Sequence, residues 1–142
     1  MQNSVLVVEH DADVRQLMSV ILEREQLDVD EAVNGQKALQ RLDERRYDLV
    51  VLDIMLPLLN GFEVYEKICS LDPRPAVIVI SAIARYVGDR FAADTIVLQK
   101  PFLHEKFREA VMRKLGRVCT RLIALTACRL ELVRPYACLR SD

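Results

Sequence analysis

No apolar stretch in this chain of 142 residues approaches the roughly 20 residues that a membrane-spanning helix needs, so no such helix is expected. The opening MQNSVLVV lacks both the basic lead and the long apolar segment of a secretory signal, so a cytoplasmic location is expected. The four cysteines, Cys69, Cys119, Cys128 and Cys138, have no CxxC spacing, and nothing else suggests an oxidising compartment. They read as free thiols, not as a zinc site. Net charge is also nearly absent: at −1 there is no overall pull toward nucleic acid or an anionic membrane. The balance is uneven, however. Residues 1–115 carry 15 basic and 19 acidic side chains, whereas residues 116–142 carry five and two, so a basic tail follows an acidic body. There is neither an internal repeat nor a low-complexity linker.

What is present is apolar content of 51%, enough at this length to bury one sizeable core. It is concentrated in short runs: VLVV (5–8), LVVL (49–52), AVIVI (76–80) and TIVL (95–98). Each is too uniformly apolar for a half-exposed strand and is expected to lie in the interior of a parallel sheet. LDVDEAV (27–33) alternates apolar with acidic residues and suits an edge. Between the runs lie faces at helical spacing: Val14, Leu17, Met18, Ile21 and Leu22; Ala38, Leu39 and Leu42; Phe62, Tyr65, Ile68 and Cys69; and Leu103, Phe107, Ala110, Val111 and Leu115. Residues 84–92 form the weakest of these segments, supported by Val87, Phe91 and a few alanines. Asn34 is placed to cap the second helix and Gly116 to end the last. Five alternations of strand and helix predict a doubly wound five-stranded parallel sheet, order 2-1-3-4-5, with right-handed crossovers and helices on both faces.

In such a sheet, ligands bind beyond the carboxyl ends of the strands. Here those ends carry Glu9 and His10, Asp53, Ser81, and Lys100. Taken singly, each has a plain structural explanation as a cap, a turn or a solvated side chain. Taken together, four strands deliver two carboxylates, an imidazole, a hydroxyl and an ammonium to one edge. Clustered carboxylates repel, so the group should recruit a metal ion or Lys100, or raise a pKa. A carboxylate so flanked suits attack on a phosphoryl group, with the cations and the hydroxyl stabilising the transferred oxygens. Asp53 is the natural nucleophile.

Over residues 4 to about 115 the chain resembles the receiver domain of bacterial two-component response regulators, the CheY-like family, through VLVVEHDADVR, NGQKAL, DLVVLDIMLPLLNGFEV, VIVISA and LQKPF in order. The resemblance implies a flavodoxin-like three-layer sandwich over 1–116, followed by a C-terminal extension, 117–142, too short for an output domain. It implies that Asp53 is the phosphoacceptor and that Ser81, Ala82 and Lys100 grip the phosphoryl group. It gives Glu9, His10, Asp53 and the Met55 carbonyl the metal positions, and a cis peptide before Pro101. The implied partners are a histidine kinase or phosphotransfer protein and an unidentified downstream protein, and the domain itself is not an enzyme.

Several positions depart from that pattern. His10 stands where a second carboxylate is usual; imidazole suits zinc, copper, nickel or iron(II) better than magnesium, so magnesium binding is expected to be weakened, with manganese as an alternative. Val97 occupies the switch position without the usual aromatic. The interval from Ser81 to Lys100 is short, which predicts a truncated fourth helix and an altered readout face. In the extension, Val118, Leu122 and Leu125 are helically spaced and Pro135 is a stop. Its five arginines lack aromatic interleaving or a helix-turn-helix pattern, so a solvated face or one packed on a second copy is expected over nucleic-acid binding. Two other functions compete. A pseudo-receiver acting purely as an interaction module would account for His10 and Val97. An aspartyl phosphatase would want an acid two residues after Asp53, where Met55 stands.

Overall fold

The computed structural model describes residues 2–116, and the expectations for 117–142 lie outside them. Each apolar run forms a strand: β1 (Ser4–Val8), β2 (Asp28–Ala32), β3 (Leu49–Asp53), β4 (Ala76–Ser81) and β5 (Ile96–Gln99). They pair in the order β2-β1-β3-β4-β5, every neighbour parallel. This is the doubly wound sheet the alternation predicts. Val5 to Val8 have no exposed surface at all, so each contributes about 1.5 to 3 kcal/mol of burial free energy before conformational entropy is set against it.

Helices α1 (Ala12–Arg24) and α5 (His104–Lys114) cover one face, packing Met18, Leu22, Phe107 and Val111 on Val5, Val7, Leu49, Val51 and Ile78. Helices α2 (Gly35–Glu44) and α3 (Gly61–Cys69) cover the other, with Ala38, Leu42, Val64 and Ile68 on Leu6, Val8, Val50 and Val79. The alternating residues of each strand thus feed two separate cores, and so the strands are apolar at every position. Asn34 caps α2 as expected, accepting from the Lys37 amide at 2.8 Å, and Gly116 ends the α5 segment with φ +66.

The structure corrects four details. TIVL does not become an interior strand: β5 is the second edge, and all four of its residues are only half-buried. Leu17, 37% exposed, lies on the outer side of α1, and Ser19 takes the inner position. Cys69 is exposed, and Val64 completes the buried face of α3 in its place. Leu103 precedes α5 and is 70% exposed.

The short fourth segment is as truncated as its length predicts: α4 is Ala84–Val87, followed by a 3₁₀ turn, Gly88–Arg90. Aromatic packing anchors it. Phe91 stacks on Phe62 at 5.6 Å between ring centroids and meets Tyr65 edge-on at 4.9 Å, while the Arg90 guanidinium lies 3.7 Å above the Phe62 ring. The Tyr65 hydroxyl accepts from the Ala92 amide at 2.9 Å and shares a 3.0 Å hydrogen bond with Thr95. These contacts tie α3 to the segment leading into β5.

Leu58, between β3 and α3, has φ +70 with its side chain 85% exposed. A Cβ in the left-handed region costs energy that glycine avoids, and little burial is lost by removing so exposed a side chain. Leu58→Gly is therefore expected to stabilise the protein by about 0.5 to 1 kcal/mol in urea denaturation, despite the greater freedom glycine gives the unfolded chain. A lower urea midpoint for the variant would show that Leu58 contributes packing this geometry does not reveal.

Candidate functional site

At the carboxyl edge of the sheet, β1 runs directly into Glu9, whose amide still bonds the Ala32 carbonyl at 3.1 Å. This continuation holds the Glu9 side chain inward, 1% exposed, while the next residue, His10, turns out to solvent. Asp11 then caps α1, accepting from the Asp13 and Val14 amides at 2.9 and 3.1 Å; those bonds, Val14 first, hold its carboxyl below the usual range.

Asp53 is the last residue of β3 and is buried. Its carboxylate accepts from the Met55 amide at 2.9 Å through Oδ1 and from Lys100 at 3.0 Å through Oδ2. Close packing fixes this strand end. The start of α3 lies so near that a Cβ on Gly61 would sit 2.5 Å from Ile54 Cα and 2.7 Å from the Asp53 carbonyl oxygen. Only glycine permits that approach.

Lys100 follows β5, its amide bonded to the Ser81 carbonyl at 2.9 Å, and the peptide to Pro101 is cis, as the resemblance implies. Its ammonium reaches Glu9 Oε2 at 2.7 Å as well as Asp53. One cation therefore bridges two buried carboxylates from different strands. Burial pushes the Glu9 carboxyl above its ordinary range, and the Lys100 hydrogen bond only partly offsets this; the nearby Asp53 charge acts in the same upward direction. Burial would lower the Lys100 ammonium, but hydrogen bonds to Glu9 and Asp53 outweigh it and the net shift is upward.

Ser81, fully buried at the end of β4, accepts the Ile83 amide on its hydroxyl oxygen at 3.1 Å. β3 and β4 are in register with Asp53 opposite Ile80, which places Ser81 one residue further toward the mouth. Ala82 is exposed in the following turn, and Met55 is 58% exposed. Val97 is half-buried and packs against the core beneath α3 and α4. The structure thus unites Glu9, Asp53 and Lys100 by direct contact, and sets Ser81, Ala82 and Met55 at the same edge. His10 stays apart: its imidazole makes no hydrogen bond, and no group of three or more His, Cys, Asp or Glu side chains gathers for a metal among the described residues.

Two supporting residues were not anticipated. The Arg15 guanidinium donates to the Glu9 and His10 carbonyls at 3.0 and 3.3 Å and pairs with Glu31, clamping the loop that presents both residues. The Gln99 carboxamide bridges the turn after β4. The only sequence signal for Gln99 is a polar residue between an apolar run and Lys100.

This geometry has known counterparts. Residues 5–112 match the family model described as response regulator receiver domain. The chain is 39% identical over 103 residues to the transcriptional regulatory protein CpxR homolog of Haemophilus influenzae, covering 70% of this chain and 44% of that protein. It is 34% identical over 115 residues to the transcriptional regulatory protein ResD of Bacillus subtilis, covering 79% and 46%. The chain therefore spans less than half the length of these relatives. Among solved structures, the response regulator protein TrrA of Thermotoga maritima, in complex with Mg(2+)-BeF, superposes with a TM-score of 0.71 at 32% identity, over 80% of this chain and 99% of that one. The doubly wound five-stranded sheet is the fold of CheY-like receiver domains. The chain belongs to the response regulator receiver domain family of two-component signalling systems.

Proposed function

We propose that the domain is a phosphoacceptor, taking a phosphoryl group onto Asp53 from a histidine kinase or phosphotransfer protein and signalling to a downstream protein by a change of surface. The observation that supports this most is Lys100 Nζ bridging Glu9 and Asp53 at 2.7 and 3.0 Å. It sets the nucleophile beside a cation that can follow the developing charge. In the step itself an Asp53 oxygen attacks phosphorus, the bond from phosphorus to the donor's imidazole nitrogen breaks, and that nitrogen keeps the electron pair and regains a proton from solvent. Ser81 and the Ala82 amide face the transferred oxygens, and Lys100 exchanges its Asp53 contact for one of them.

Magnesium is commonly held through one or two carboxylates, with water completing an octahedral shell. Glu9 and Asp53 fit that minimal donor set, with the Met55 carbonyl as a third oxygen. When bound, the ion would neutralise charge on the phosphoryl oxygens. His10, an exposed nitrogen donor, does not belong to this set, so magnesium would be held more weakly than with a carboxylate at position 10, and manganese would compete. The domain is a signalling module and not an enzyme, its own phosphotransfer and hydrolysis being intrinsic to the acceptor. Among the described residues no helix is long and apolar enough to cross a membrane.

A second reading, a phosphorylation-independent interaction module, is favoured by the outward His10 and the one-turn α4. One experiment separates the two. The protein is incubated with a small phosphodonor and magnesium or manganese, and intact mass is recorded. A phosphoryl adduct absent from Asp53→Asn is the expected result; no adduct with either metal supports the interaction module.

A further inference from the structure

Gln99 and Ser81 are opposed in the β4–β5 register, but their side chains act on different parts of the same turn. Ser81 Oγ holds the Ile83 amide. The Gln99 carboxamide holds the rest: its Nε2 donates to the Ala82 carbonyl at 2.5 Å and to the Lys100 carbonyl at 3.0 Å, and its Oε1 accepts from the Arg85 amide at 3.3 Å. Arg85 is in the first turn of α4, where amides have no intrahelical partner. The residue preceding α4, Ile83, provides no side-chain cap. Gln99 therefore caps α4 from a neighbouring strand, while fastening the turn to the lysine loop.

The buried Ser81 hydroxyl accepts one bond and donates its proton to no acceptor among the described residues. A phosphoryl oxygen on Asp53, one register step away, is a fitting acceptor. For Ser81 to close on it, either the Ile83 bond breaks or the turn 82–85 moves with it, against the three Gln99 bonds. Val97 has no ring whose rotation could carry the change.

We infer that Gln99 is the positioning residue of the switch: its carboxamide tethers the β4–α4 turn in the unphosphorylated arrangement and carries the movement of Ser81 to α4. This rests on the phosphoacceptor reading, and it predicts different behaviour for two variants. Gln99→Leu keeps the volume and loses all three bonds. Gln99→Glu keeps an acceptor for the Arg85 amide but has no donor for the Ala82 and Lys100 carbonyls.

The test uses beryllofluoride with magnesium as the phosphoryl mimic, on the full chain, with amide exchange followed by NMR. Releasing the turn should tighten mimic binding about three- to tenfold in both variants, the range expected when one or two of the bonds lost, three in Gln99→Leu and two in Gln99→Glu, are made only in the resting state. In Gln99→Leu, but not in Gln99→Glu, exchange at the Arg85 amide should quicken about tenfold without mimic. The mimic should shift Tyr86 and Val87 resonances in the wild type and leave them nearly unmoved in Gln99→Leu. Mimic affinities within twofold of wild type in both variants would overturn the switch role, as would a lowered melting temperature as the sole change. If the wild type takes up no mimic, the phosphoacceptor reading fails. The exchange result then decides the tether by itself, and unchanged protection of Arg85 in Gln99→Leu overturns it.

Discussion

Lys100→Met should lower stability near neutral pH by about 2 to 3 kcal/mol and abolish phosphoryl uptake at Asp53. The methionine keeps the aliphatic stem, so the loss isolates the charge. Removing one partner from a buried ion pair typically costs about 3 to 5 kcal/mol because the other charge is left unpaired. The Lys100 side chain retains 23% of its surface, which places this site below that range. The pH dependence gives the mechanism a signature. The Lys100 pKa is raised in the folded state, so its pairing is fully present below the ordinary lysine value and is lost as pH climbs through the folded one. The Glu9 pKa is raised as well, which means the native state binds the proton more readily than the unfolded chain, and stability falls as pH rises from the ordinary glutamate value through the raised one. Without the ammonium that second window widens. Wild type and variant should therefore converge in acid, diverge through the weakly acidic range and stay apart until strongly alkaline pH. Equal urea midpoints at neutral pH would show that the bridge contributes no stability and serves only the chemistry.

His10→Asp should raise magnesium affinity at least several-fold, since it offers the ion a charged oxygen where the wild type offers an outward imidazole. The same change adds a third carboxylate to the mouth, so the metal-free variant should be less stable than wild type, with magnesium reversing the deficit. Titration calorimetry on both proteins at one fixed pH measures the affinity directly. Equal binding by the two proteins would mean that position 10 lies outside the coordination shell altogether. Tight manganese or zinc binding by the wild type, with hardly any magnesium bound, would instead make His10 a working ligand.

The residues that meet at the site were legible because each ends a strand, and the carboxyl edge of a parallel sheet is one place in space. Glu9, Asp53, Ser81 and Lys100 needed only that rule. The predicted order placed β5 last, yet TIVL read as an interior strand, because uniform apolarity reports what a strand's side chains touch, not whether a further strand pairs with its outer edge. With α4 reduced to one turn, that edge is also incompletely covered. Leu17 and Cys69 show the same limit on helices: both satisfy the 3.6-residue period, but the crossing angle decides which flank of the apolar stripe meets the sheet. Arg15 and Gln99 act through backbone carbonyls and amides, which carry no mark in a sequence. Their roles appear only once the loops they hold have a shape.

The Lys100–Glu9 bridge joins residues 91 positions apart, and its third member, Asp53, lies between them. During synthesis β1 leaves the ribosome long before the lysine that neutralises its acid, and Asp53 emerges as a second carboxylate without a counter-ion. Because domains generally fold as units, the charge pair cannot guide early pairing of β1 with β3. The apolar strands must do that, and closing a loop of this length costs entropy that only the completed core offsets. The three-residue cluster is thus complete only once residue 100 has been made. A chain released before residue 100 carries Asp53 but not the ammonium that pairs with it.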